Sequence, residues 1–105
     1  MVRGEIFRLP PPRGARGHEQ RGGRYAVVVQ ADEFLQLSTT LVAPTSARAR
    51  SATFRPVITL DGSETRVLVE QTTVVDPQRL GQSAGRLDAI ELCAVDEALA
   101  LILGL

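Results

Sequence analysis

The sequence has few of the residues that build metal sites and disulfide frameworks. It contains one cysteine, Cys93, one histidine, His18, and no tryptophan or lysine. One cysteine excludes a disulfide framework within the chain, and this pair is too small a ligand set for a structural zinc. A single histidine also excludes a ribonuclease mechanism that uses two histidines of one chain as acid and base. We therefore expect no metal and no cofactor.

Aromatic residues are also scarce. The four present are Phe7, Tyr25, Phe34 and Phe54. Modules that grip single strands by stacking bases on a sheet usually present more aromatic side chains than this. Recognition of the RRM or single-strand-binding-protein type is therefore disfavoured.

No apolar run is long enough to cross a membrane. The longest, residues 98–103, falls far short of a bilayer span, and residues 1–5 lack the apolar stretch of a signal peptide. The length of 105 residues suits one domain, residues 1–105. We expect a soluble cytoplasmic protein with no membrane partner.

The basic residues are all arginine, and they are unevenly distributed. Twelve arginines balance twelve acidic residues, yet residues 1–30 carry six arginines against two glutamates, and residues 76–105 carry five acids against two arginines. A basic amino-terminal region suits a phosphate-bearing partner, but a solvated basic loop would have the same composition. Charge alone leaves both interpretations open.

The hydrophobic pattern predicts short strands followed by one helix. Strands are expected at residues 4–9, 24–30, 39–46 and 55–60, with further strand structure at 66–75. The Pro-, Gly- and Arg-rich segment 10–23 is expected to be a functional loop, and residues 31–37 a helical turn. Asp61 and Gly62 form a strong turn signal.

The last element is predicted to be an amphipathic helix. Asp88 and Glu91 form a capping box at its start, and Gly104 stops it. The apolar stripe predicted along it is Leu92, Val95, Leu99 and Ile102, and Cys93 is interpreted as a small packing residue. The natural architecture is a small antiparallel barrel or twisted sheet capped by this helix.

Seven short segments follow one another in an order that is specific as a set, although none is specific alone. They are residues 3–6, 17–20, 24–30, 43–46, 67–71, 76–80 and 96–99. The first three are an Arg-Gly-Glu-Ile strand, a Gly-His-Glu-Gln loop and a valine-rich strand that begins with arginine. The set resembles the MazF/PemK-type toxins of type II toxin–antitoxin systems, over essentially the whole chain.

The resemblance implies a mainly β (α+β) fold, an SH3-like antiparallel barrel with a C-terminal amphipathic helix. It also implies a homodimeric, metal-independent endoribonuclease that cuts single-stranded RNA at short sequences and is inhibited by a cognate antitoxin. Its catalytic residues fall on Arg24, Thr45 and Glu19. The residues expected to bind RNA are Arg13, Arg16, His18, Arg21, Ser46, Glu70 and Gln71, with the last two on a later strand near the RNA groove.

These residue types suit attack of the ribose 2′-hydroxyl on the adjacent phosphorus. The guanidinium of Arg24 is permanently charged and matches phosphate bidentately, so its expected role is electrostatic stabilisation rather than proton abstraction. Thr45 can donate to the same non-bridging oxygens. Glu19 and His18 compete for the role of general base.

Two positions depart from the family pattern. Tyr25 stands where the family has proline, and His18 where it has serine.

Two other functions compete with the endoribonuclease. A CcdB-like toxin that poisons DNA gyrase would use the end of the terminal helix, but residues 103–105 lack the Trp-Gly-Ile type ending of that group. A catalytically silent adaptor with the same barrel is the third possibility.

Overall fold

A computed structural model describes residues 1–10 and 24–105 of the chain. Seven strands and one long helix are present in this part. The strands are β1 (Glu5–Leu9), β2 (Arg24–Val28), β3 (Thr40–Ser46), β4 (Val57–Leu60), β5 (Ser63–Val67), β6 (Thr73–Val75) and β7 (Ser83–Arg86), and the helix is α1 (Ala89–Leu103). Short 3₁₀ turns occur at Asp32–Phe34, Val69–Gln71 and Pro77–Arg79.

The strands form one antiparallel sheet in the order β4-β5-β3-β2-β1-β7, with β6 also paired to β3. In the described part of the chain, β4 and β7 end this strand order and β6 pairs only with β3, so the sheet is open. It is curled into a half-barrel. The predicted architecture of an antiparallel β-structure with one terminal helix is confirmed.

The two faces of the sheet bury different side chains, because neighbouring residues of a strand point to opposite faces. One face, here called the helix face, carries Ile6, Val27 and Ala43, and it packs against Val95 and Ala98 of α1. The opposite face carries a smaller cluster. This second cluster consists of Ala26, Val28 and Val42, with Phe7, Leu9, Leu35 and Val75 packed against it.

The local signals for turns and caps are confirmed. Leu60 pairs with Ser63, and the two residues between them have positive φ values, 53° at Asp61 and 78° at Gly62. Such a two-residue turn needs left-handed backbone at both positions. At α1, the side chain of Asp88 accepts from the Glu91 amide at 2.7 Å, and the Glu91 carboxylate accepts from the Asp88 amide at 3.1 Å.

Less of the apolar stripe of α1 is buried than the sequence predicts. Val95 is fully buried and Leu92 and Leu99 are half-buried, but Ile102 is 39% exposed. The prediction that Cys93 is a packing residue is wrong, because Cys93 faces solvent with its Sγ 3.8 Å from a carboxylate oxygen of Glu97. The helix is apolar on more than its buried side.

Candidate active site

Three of the five predicted site residues that the structure describes lie at one end of the sheet. Leu9, the last residue of β1, pairs with Arg24, the first residue of β2. Ser46, the last residue of β3, pairs with Arg66 of β5. Thr45 precedes Ser46, so Arg24, Thr45 and Ser46 share the strand ends that we call the Arg24 end.

Five of the predicted residues belong to the segment that connects β1 to β2. They are Arg13, Arg16, His18, Glu19 and Arg21, and all lie outside the described residues. The choice between Glu19 and His18 as general base therefore stays a prediction.

Thr45 is buried and its hydroxyl is already engaged. The side chain of Thr45 is 8% exposed, and its Oγ1 donates to the carbonyl oxygen of Tyr25 at 3.2 Å. A threonine hydroxyl has one hydrogen to donate. Donation to a phosphate oxygen would therefore require the hydroxyl to leave the Tyr25 carbonyl.

Arg24 and Thr45 start from opposite faces of the sheet. Thr45 pairs with Val67, which belongs to the helix-face core, whereas Arg24 pairs with Leu9, which packs on the second cluster. Directly paired residues of antiparallel strands point to the same face. The Arg24 guanidinium must therefore extend around the start of β2 if it is to act on the same phosphate as Thr45.

Ser46 shapes the loop that follows β3. Its Oγ accepts from the backbone amide of Arg48 at 3.3 Å, which leaves the hydroxyl hydrogen free to donate. Arg48 and Arg50 of this loop are exposed, and within the described residues neither forms an ion pair. The loop adds positive charge beside Ser46.

Glu70 and Gln71 lie in the 3₁₀ turn Val69–Gln71, so their placement on a strand is wrong. β5 ends at Val67, and the backbone then turns: the amide of Gln71 donates to the carbonyl of Leu68 at 2.9 Å and the amide of Thr72 to the carbonyl of Val69 at 3.2 Å, in place of bonds to a neighbouring strand. Gln71 is exposed.

The Glu70 carboxylate forms an ion pair that the sequence did not indicate. Its Oε2 accepts from Nε of Arg55 at 2.8 Å and lies 2.7 Å from NH2 of the same guanidinium. Arg55 also donates to the carbonyl of Arg50 at 3.2 Å, while Arg66 donates to the carbonyl of Arg55 at 2.9 Å and to Ser51 Oγ at 2.8 Å. These contacts hold the β3–β4 loop against β5 and the Val69–Gln71 turn.

The sequence interpretation also missed Arg8. Arg8 pairs with Tyr25 in the β1–β2 ladder, and its guanidinium carbon lies 5.6 Å from the centre of the Tyr25 ring. The signal that could have found this contact is the register between β1 and β2. The sequence did not give that register, because a connection as long as residues 10–23 does not fix which residues of the two strands pair.

Carboxylates at the other end of the sheet are engaged within the protein. Glu5 pairs with Arg86 at the far end of β1 from Leu9, and the Ser83 hydroxyl donates to its carboxylate at 2.7 Å. This hydrogen bond holds the pKa of Glu5 below its ordinary value, although partial burial acts in the opposite sense. Arg3 forms an ion pair with Asp96 at 2.7 Å.

Neither a metal cluster nor a membrane helix is present in residues 1–10 and 24–105. No three His, Cys, Asp or Glu side chains there are grouped as metal ligands. No helix of that part is long and apolar enough to cross a membrane.

Comparison with known proteins identifies the family. A family model described as PemK-like, MazF-like toxin of type II toxin–antitoxin system matches residues 2–103. The chain is also 38% identical to the proposed toxin Rv3098A of Mycobacterium tuberculosis strain H37Rv over 106 residues, which cover 100% of this chain and 99% of that protein.

Solved structures share the fold. An endoribonuclease in complex with its cognate antitoxin, from a mycobacterial species, superposes with a TM-score of 0.82 at 15% identity, over 100% of this chain and 96% of that one. MazF of Deinococcus radiodurans superposes with a TM-score of 0.77 at 23% identity, over 100% and 97%. The resemblance drawn from the sequence is confirmed, and the chain belongs to the PemK-like, MazF-like family of toxins of type II toxin–antitoxin systems.

Proposed function

We propose that the protein is an endoribonuclease toxin that cleaves single-stranded RNA at specific short sequences without a metal ion. The observation that carries this proposal is family membership along residues 2–103, together with Arg24, Thr45 and Ser46 at one end of the sheet. Solved relatives of this fold are described as endoribonucleases, one of them bound to its antitoxin.

In the proposed reaction, the 2′-hydroxyl attacks the adjacent phosphorus and the 5′-oxygen leaves, which gives a 2′,3′-cyclic phosphate and a 5′-hydroxyl. Glu19 or His18 removes the proton of the 2′-hydroxyl as its oxygen bonds to phosphorus, and the protonated base or a water molecule supplies a proton to the 5′-oxygen as the bond from phosphorus to that oxygen breaks. The Arg24 guanidinium stabilises the charge that develops on the non-bridging oxygens, and Thr45 donates to the same oxygens after releasing the Tyr25 carbonyl.

The test is cleavage of a long RNA by purified protein in EDTA. Discrete fragments with 5′-hydroxyl ends are expected, and sequencing those ends gives the cleavage sequence. The matched control is the Arg24→Ala, Thr45→Val double variant purified in parallel, which excludes a contaminating nuclease. Loss of cleavage in EDTA with recovery on adding magnesium would overturn the metal-independent reaction.

The alternative is a CcdB-like toxin that poisons DNA gyrase without an enzymatic activity of its own. It predicts intact RNA and inhibition of supercoiling by purified gyrase. The match of residues 2–103 to the PemK-like, MazF-like family, whose fold is shared by solved endoribonucleases, favours the endoribonuclease.

We further propose that two copies form a homodimer whose groove holds the RNA. Apolar side chains of α1 support this: Ile90 is 82% exposed, Leu101 60% and Leu103 63%. A surface helix with solvent on one side normally has a polar stripe there. Sedimentation at micromolar concentration should give a dimer, and a monomer would contradict the proposal.

An antitoxin is the proposed protein partner. The arginines between Arg13 and Arg24 suit an acidic, otherwise disordered segment that competes with RNA for the same charge. A saturating cognate antitoxin should therefore displace labelled RNA. RNA that stays bound to the antitoxin complex would rule out this competition.

A further inference from the structure

Arg8 is held on the same sheet face as Thr45. Its partner across the ladder is Tyr25, whose ring packs against the helix-face core. Tyr25 is also the residue whose carbonyl accepts from the Thr45 hydroxyl at 3.2 Å. Arg8 is thus joined to Thr45 through one residue, whereas Arg24 starts from the opposite face.

The aromatic ring orients the Arg8 guanidinium. The guanidinium carbon is 5.6 Å from the ring centre, within the range of a cation–π contact. NH1 of Arg8 is 3.5 Å from the Tyr25 hydroxyl, which is long for a hydrogen bond, so the ring makes the larger contribution. Contact with a ring face leaves the N–H groups at the guanidinium edge available to an anion.

The backbone of Arg8 is fixed from its other side. Its amide donates to the carbonyl of Gln82 at 2.9 Å, and its carbonyl accepts from the amide of Gly81 at 2.8 Å. A Cβ at Gly81 would come within 3.2 Å of the Arg8 Cβ and 3.3 Å of its carbonyl oxygen. The side chain of Arg8 therefore projects from a fixed backbone position.

The positive charge of Arg8 is not used within the described part of the chain. Arg8 is exposed and forms no ion pair there, unlike Arg3 with Asp96 and Arg55 with Glu70. A charged fork held on an aromatic ring beside a buried threonine hydroxyl is suited to a phosphodiester oxygen.

We propose that Arg8, held against the ring of Tyr25, binds an RNA phosphate on the Thr45 side of the active site. The inference rests on the proposed function, because its ligand is the RNA substrate. Tyr25 is a positioning residue in this arrangement. Tyr25 stands where the resemblance to the family places proline, which has no aromatic ring to make this contact.

The test measures RNA affinity against salt concentration by fluorescence anisotropy. The probe is a labelled 2′-O-methyl copy of the cleaved RNA segment, which lacks the attacking hydroxyl and stays intact. Arg8→Ala should weaken binding about tenfold, as expected for loss of a charge-assisted hydrogen bond. It should also lower the salt slope by about 0.7, the value for one single-strand phosphate contact.

Arg86→Ala is the matched control, because Arg86 is an exposed arginine that pairs with Glu5 at the opposite end of β1. Its affinity should stay within about twofold of wild type. Arg8→Lys should lie between wild type and Arg8→Ala, because it keeps the charge but loses the planar fork. An Arg8→Ala variant that behaves like Arg86→Ala would overturn the inference while leaving the proposed function intact.

Variants of Tyr25 separate positioning from direct contact. Tyr25→Phe keeps the ring and should bind normally, whereas Tyr25→Leu keeps apolar volume and should weaken binding. Adding Arg8→Ala to Tyr25→Leu should then lower RNA affinity by a smaller factor than Arg8→Ala does alone. Thermal melting confirms that each variant is folded. Tyr25→Leu could instead weaken RNA binding more than Arg8→Ala does and leave the salt slope unchanged. That result would mean that the ring stacks a base, and the phosphate assignment would be wrong. Wild-type protein that neither bound nor cleaved RNA would remove the proposed function as well.

Discussion

Replacing Thr45 by valine separates its structural contribution from its chemical one. Valine keeps the branched shape of the buried side chain but removes the hydroxyl that donates to the Tyr25 carbonyl. The loss of one such hydrogen bond costs about 1 kcal/mol of unfolding free energy. For a domain of this length, that cost lowers Tm by about 4–8 °C, so the variant remains folded at 25 °C.

The chemical contribution is expected to be larger. A donor to the developing phosphorane charge is worth about 2.7–4 kcal/mol of barrier, so Thr45→Val should lower kcat roughly 10²–10³-fold. Thr45→Ser keeps the hydroxyl and should stay within a few-fold of wild type. Single-turnover cleavage gives kcat, and thermal melting of the same samples gives the structural cost.

The Arg24→Ala variant completes a double-mutant cycle with Thr45→Val. If both side chains act on one phosphate, the double variant should be little slower than the slower single variant, because residues that act as a unit are not additive. Arg24→Lys should recover little activity. A Thr45→Val variant with the lower Tm but a kcat within threefold of wild type would refute the chemical role of Thr45.

Three further predictions concern stability, and denaturant unfolding measures each. Arg55→Ala leaves the half-buried Glu70 carboxylate without its partner and should lower the free energy of unfolding by about 1–2 kcal/mol. The same substitution should lower it by less in a Glu70→Gln background. Ser83→Ala should raise the pKa of Glu5 toward its ordinary 4.5. Because the folded pKa of Glu5 lies below the unfolded value, its stabilisation is present above pH 4.5 and is lost as pH falls through the folded pKa, so wild type and variant should converge in acid. A Ser83→Ala difference as large at pH 3 as at pH 7 would contradict this assignment. Asp88→Ala removes the cap of α1 and should cost about 0.5–2 kcal/mol.

Local chemistry in the sequence accounts for most of the fold. The β-branched run after Arg24, the Asp61-Gly62 turn and the Asp88–Glu91 capping box each carry their structural reason within a few residues. β7 (Ser83–Arg86) was missed because it has no alternating apolar pattern. It becomes a strand by pairing with the edge of β1, where the register shifts and Gly85 adopts a φ of 113°.

The candidate site was harder to predict than the fold, because it depends on register and on contacts between distant segments. Motif order placed Arg24 and Thr45 near each other in the fold. Motif order could not show that their side chains leave opposite faces, since that depends on the register between β2 and β3, in which Ala26 pairs with Pro44. The Arg55–Glu70 ion pair joins residues fifteen apart and has no local signature.

Charged side chains are unevenly distributed along the strands, and this distribution favours the approach of an anion from the Arg24 end. Near the Arg24 end, Glu70 is engaged by Arg55, and the exposed or half-buried arginines lack ion-pair partners within the described residues. These are Arg8, Arg24, Arg48, Arg50 and Arg66. At the other end, Asp32 accepts from the Arg3 amide at 2.6 Å, Asp96 accepts from the Arg3 side chain at 2.7 Å, and Glu5 pairs with Arg86 in the strand ladder. A chain of zero net charge can therefore still attract a phosphodiester, because the field at the site follows the local arrangement rather than the sum. An acidic antitoxin segment would experience the same field, so competition with RNA at the Arg24 end needs only that both ligands are anionic.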